Sequence, residues 1–164
     1  TRRRATNAKR APARGLSCDH RTRMNAELRW QGGVRFQAET GSGHSLTIDG
    51  AVEGGGTNAG PRPMELVLIG AGGCAAYDVV HILARQREDV TDCVVKLDAE
   101  RADEPPRVFT KIHMHFVVTG RGLSPVKVER AVALSSEKYC SASIMLRRGG
   151  VDVQTSFEVI EAAE

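Results

Sequence analysis

No two of the four cysteines in this 164-residue chain form a CxxC pair. Cys18, Cys74, Cys93 and Cys140 are irregularly spaced, which argues against a disulfide framework or a zinc knuckle. No uninterrupted apolar run reaches the ~20 residues that span a bilayer, so no membrane partner is expected. No hydrophobic stretch follows the basic N-terminus as it would in a secretory signal. Aromatic residues make up only 4% of the sequence, and no basic patch on the body interleaves them. That excludes an evident nucleic-acid surface. What remains is a chain of one-domain length with room for a core. Its cysteine usage suits a reducing cytoplasm, where a cysteine pair is more often catalytic than structural.

The net charge of +3 is unevenly spread. Residues 1–23 hold eight basic side chains and one acid, Asp19, for +7, and residues 24–164 come to −4. The first stretch has no periodicity and few large apolar side chains. It reads as a disordered basic extension ahead of a domain over residues 24–164.

Glu27 to Trp30 and Val34 to Thr40 alternate polar with apolar around Gln31-Gly32-Gly33, a hairpin signal. Gly41-Ser42-Gly43 turns into a third strand, Ser45 to Ile48. Residues 51–62 hold Gly54, Gly55, Gly56 and Gly60 without the spacing or lysine of a phosphate-binding loop, so they read as a flexible connection. Pro63 to Arg87 is a helix-length run that is small or apolar on nearly every face, and such a run must be covered. Two strands follow, Cys93 to Arg101 and Arg107 to Thr119, parted by Glu104-Pro105-Pro106. A helix opens at Ser124-Pro125 and runs to about Tyr139. A short helix from Ser141 to Arg147 and a last strand, Val151 to Ile160, complete the chain. The order implies an α+β fold of mainly antiparallel sheet.

Cys74 and Cys140 are the leading candidates for chemistry. Cys74 follows Gly72 and Gly73 in the central helix, and Cys140 opens a short helix two residues after Lys138. Helix N-termini and nearby cations favour the reactive thiolate, while the bland alternative for either is a small buried hydrophobe. Cys74, Asp78 and His81 share one helix face, but seven residues of helix is about 10.5 Å. That is too far for a nucleophile and its base, or for a shared metal. His113 and His115 share a strand face and lack a third ligand of recognisable spacing, so no metal site is expected. Cys93 reads as packing.

The stretches PMELVLIGAGGCAAYDVVHIL around Cys74 and LSSEKYCSASIML around Cys140 resemble the OsmC/Ohr family, in its YhfA-type branch. The intervening VTDCVVKLDAERADEPPRVFTKIHMHFVVTGR resembles that branch too, and the likeness covers about residues 24–162. The resemblance implies an intertwined homodimer, with two central helices wrapped by sheets from both chains and active sites at the interface. It implies a thiol-dependent peroxidase, without a cofactor, that acts on organic hydroperoxides. Cys74 would be the peroxidatic cysteine and Cys140 the resolving one. A dithiol, such as a lipoyl-bearing protein, would restore the pair.

Departures from the hydroperoxidase pattern are specific. That branch has Asn-Pro-Glu at the helix start, where this chain reads Arg62-Pro63-Met64-Glu65. Glu65 is displaced by one residue, about 100° around a helix, and matches only a second acidic position that some members carry. It is a candidate supporting residue. Arg35 is out of step with the arginine of the first hairpin turn, and Ser141 replaces the usual proline. The alternative implied is a non-enzymatic protein on the same fold, redox-responsive or binding a small ligand.

Overall fold

The computed structural model describes residues 23–163. The reading of residues 1–23 therefore lies outside the described residues but for Arg23, and Cys18 lies outside them too. The chain forms two compact units, one ending at Arg62 and the other beginning at Pro63.

The first unit is an antiparallel meander of β1 (Ala26–Trp30), β2 (Phe36–Thr40) and β3 (Ser45–Ile48). Gly32 and Gly33 take φ of 95° and 57°, a region open to glycine at no steric cost. The turn they make is closed by the Gln31 N–H on the Arg35 carbonyl at 2.9 Å. It therefore absorbs Val34 and Arg35, which the alternation had assigned to the second strand. The glycine-rich segment is not the flexible connection expected. It folds around the Asp49 side chain, which accepts from the N–H groups of Gly50, Thr57 and Ala59 and from the Thr57 hydroxyl, at 2.7 to 3.0 Å. Gly60 is needed for close approach, because a Cβ there would lie 2.3 Å from the Thr47 carbonyl oxygen.

The second unit runs α1 (Pro63–Arg85), β4 (Asp89–Arg101), β5 (Phe109–Arg121), α2 (Pro125–Leu134), a π-helical turn (Ser135–Tyr139), α3 (Ser141–Arg148) and β6 (Asp152–Glu161). Its sheet has the order β4-β5-β6. β4 and β5 pair antiparallel, and β6 lies parallel to β5. A parallel neighbour needs a long crossover, which α2 and α3 supply. Alternation along β5 buries Ile112, Met114, Phe116 and Val118 on one face. Ala71, Gly72, Ala75, Val79 and Leu83 of α1 are buried as well. The small residues let α1 approach the sheet closely: a Cβ on Gly72 would stand 2.6 Å from a Leu97 methyl.

Two expectations need correction. α1 is, by length and composition, long and apolar enough to cross a membrane. Counting uninterrupted runs missed this, because Glu65 and Asp78 break the run without changing its average character. An interior helix meets the same criterion, and part of α1 is buried within its own unit. The helix opened by Pro125 also does not continue to Tyr139. After Leu134 it widens, and the Cys140 N–H reaches back five residues to the Ser135 carbonyl at 2.8 Å. Such single π turns recur at functional sites.

Candidate active site

Cys74 lies half-buried in the middle of α1, and Cys140 is fully buried where the π turn gives way to α3. Both are free thiols. Their sulfurs and a carboxylate oxygen of Asp78 all lie within 4.8 Å of one another. Asp78 follows Cys74 by four residues, so both project from one face of α1.

Small residues and polar ties build this arrangement. The Cys140 thiol is 4.0 Å from the Ala71 carbonyl oxygen, a contact that the narrow face of α1 permits. The Ser135 hydroxyl donates to the Ala75 carbonyl at 3.1 Å and fastens the π turn to α1. Arg147 of α3 donates to the Ser136 carbonyl and hydroxyl and to the Val153 carbonyl, joining the turn, α3 and β6. Cys140 is itself the cap of α3, its sulfur accepting from the Ser143 N–H at 3.4 Å and the Ser143 hydroxyl at 3.2 Å.

The two thiols are driven apart electrostatically. Burial raises the Cys74 thiol, but the Ala142 N–H, the Cys140 thiol and the Ser141 hydroxyl outweigh it and hold Cys74 below its ordinary value, against the nearby Asp78. Cys74 thus faces the N-terminal end of α3, which favours an anion. Burial pushes the Cys140 thiol up, and the two Ser143 donors offset only part of that. Burial also raises the Asp78 carboxyl, with His81 opposing. Among the described residues, Asp78 Oδ2 is buried without a hydrogen-bond partner.

Other expected positions fall elsewhere. Glu65 is exposed in the first turn of α1, nine residues before Cys74. That is about 13.5 Å along the axis. Met64, where the hydroperoxidase pattern has glutamate, packs against the core. Arg35 belongs to the other compact unit. His81 stacks on Tyr77 and is outside the Cys74 group. His113 and His115 each place a ring nitrogen 2.8 Å from the Ser156 hydroxyl. Cys93 is half-buried in β4, its thiol raised by burial and by Asp92. The sequence reading missed the roles of Ser141, Ser143 and Arg147. Neither Ser143 nor Arg147 carries a local sequence signal for its role.

The family model for OsmC-like protein matches residues 55–156. The chain is 50% identical to Protein YhfA of Escherichia coli strain K12 over 139 residues, which is 85% of this chain and all of that one. It belongs to the OsmC family. A hypothetical protein from Aquifex aeolicus VF5 shares 30% identity and the OsmC-family fold, with a TM-score of 0.74 over 85% of this chain and 98% of that one. An organic hydroperoxide resistance protein OsmC from Legionella pneumophila, a predicted redox protein and regulator of sulfide bond formation, is 25% identical. It superposes with a TM-score of 0.62 over 84% of this chain and 97% of that one. The α+β architecture is thus that of OsmC and Ohr proteins, and the family match spans both Cys74 and Cys140.

Proposed function

We propose that this OsmC-family protein is a thiol-dependent peroxidase acting on organic hydroperoxides in a reducing compartment, the cytoplasm. The supporting observation is the free Cys74–Cys140 pair, with sulfurs within 4.8 Å. In this reading the Cys74 thiolate attacks the outer peroxide oxygen, the O–O bond breaks, and the alcohol leaves with a proton. Cys74 becomes a sulfenic acid. The Cys140 sulfur then attacks the Cys74 sulfur, water departs, and a disulfide remains. An external dithiol, a lipoyl-bearing protein among the candidates, returns both to thiols by exchange.

The same reading includes a homodimer. Ile69, Tyr77 and Val80 of α1 are 55%, 71% and 39% exposed within one chain. A second copy of α1 is the natural cover for that stripe. A second reading has a specific observation behind it. Met64 is packed where hydroperoxidases place glutamate, which favours a redox-responsive or ligand-binding protein that does not turn over peroxide.

A coupled assay with cumene hydroperoxide and dihydrolipoamide separates the two. Wild type should consume peroxide, and Cys74→Ser should abolish consumption. Cys140→Ser should react once and leave a sulfenic acid that dimedone traps. If wild type turns over no hydroperoxide with any dithiol, the second reading stands.

A further inference from the structure

We propose that Cys74, Asp78 and Cys140 form a binding site for a thiophilic divalent cation of the zinc class, taken up by the reduced protein. The site is built from two sulfurs and one carboxylate oxygen, each within 4.8 Å of the others. Around a tetrahedral zinc ion, with Zn–S near 2.3 Å, two sulfurs sit roughly 3.8 Å apart. At most about 1 Å of contraction is therefore needed. Two of the ligands share a turn of α1 and the third caps α3, so the donors stand on packed helices rather than on loops. The second observation is that Asp78 Oδ2 has no donor among the described residues. A buried acceptor left unpaired is costly, and an ion is one of the few things that satisfies it. The ligand chemistry selects the class. Calcium takes six to eight oxygens and magnesium six, whereas two thiolates and a carboxylate suit zinc or cadmium. A hollow of about 310 Å³ borders the Asp78 side of the cluster and is lined also by His81, Arg85 and Tyr139. Local spacing in the sequence cannot show such a site, because its ligands come from separate helices.

Each sulfur that is protonated gives its proton to solvent as its metal bond forms, and no electrons move. Metal occupancy and a Cys74–Cys140 disulfide therefore exclude one another. The proposal does not depend on peroxide turnover.

The test is an anaerobic titration of the reduced full chain with Cd²⁺, read by thiolate-to-metal charge-transfer absorption, alongside Zn²⁺ in competition with a chromophoric chelator. The expected result is one tight equivalent per chain. Asp78→Asn should weaken it at least tenfold with both thiols still titratable, and Cys140→Ser should weaken it further. In wild type, Zn²⁺ should protect the half-buried Cys74 from iodoacetamide, mapped by mass spectrometry, and leave Cys93 unprotected. This readout decides the matter even if a variant fails to fold. Absence of the tight equivalent, unchanged affinity in folded Asp78→Asn, or no selective protection of Cys74 would overturn the proposal. None of these readouts involves peroxide, so failure here is distinguishable from failure of the peroxidase reading.

Discussion

Asp49 shows what one side chain can do for a loop that composition alone describes as flexible. Four donors converge on it. The Ala59 N–H contributes most, then the Thr57 hydroxyl and the Gly50 N–H; together they overcome burial and hold the carboxyl well below the usual carboxylate range. A carboxyl depressed by folding stabilises the fold above its unfolded pKa of about 3.9. That contribution disappears as pH falls from there through the folded pKa. Acid should therefore loosen the first unit below about pH 4, and Asp49→Asn should remove that pH dependence while lowering stability at neutral pH. Trp30, the single tryptophan, lies in β1 and reports on that unit. Its fluorescence during acid titration of wild type and variant is the measurement, and identical acid profiles would refute the role given to Asp49. None of this was legible beforehand, because an aspartate before a glycine signals only a turn. The partners at Thr57 and Ala59 are set by how the loop closes.

At the scale of elements, α1 separates its glycines by face. Gly72 is buried against Leu97 of β4, whereas a Cβ on Gly70 or Gly73 would meet nothing within 4 Å among the described residues. Two substitutions on adjacent residues should therefore fail differently. Gly72→Leu overfills the packing against β4 and should cost about 1–3 kcal/mol or more in urea unfolding. Gly73→Leu meets no obstacle among the described residues of one chain, so its effect should fall on the proposed dimer. Sedimentation should show Gly73→Leu losing dimer, or losing fold and dimer together where no stable monomer exists. A wild type that is a folded monomer at micromolar concentration would defeat the dimer. Element identity was largely legible, because the helical and strand periods of α1, β4 and β5 are local properties. The parallel partnership of β5 with β6 was not, since no residue within either strand encodes its neighbour. The π turn was equally hidden: Ser135 to Tyr139 carries no breaker, and its widening is tied to the Ser135 contact with α1.

For the whole molecule, a dithiol is only as good as the framework that keeps its sulfurs together. Cys74 comes from α1 and Cys140 from the start of α3, and their closeness depends on how the returning chain is anchored. The two cysteines could be singled out from the sequence, and their pairing was implied by resemblance. The anchor could not be, because an arginine in the last turn of a short helix looks like a solvated charge. Arg147 bridges Ser136 at the π turn to Val153 on β6. Removing its head group leaves the Ser136 and Val153 carbonyls without that donor. Lost hydrogen bonds to a charged group cost about 1.5–3 kcal/mol each, and water entering the gap will recover part of that. Arg147→Met keeps the apolar stem and should lower urea stability by about 2–3 kcal/mol in total. It should also slow Cys74–Cys140 disulfide formation under diamide, because the π turn then no longer holds Cys140 against α1. Arg147→Lys restores one donor and should fall between the two. If Arg147→Met unfolds at the wild-type urea concentration and its disulfide closes at the wild-type rate, the position of Cys140 is set by the apolar packing of α2 and α3 alone.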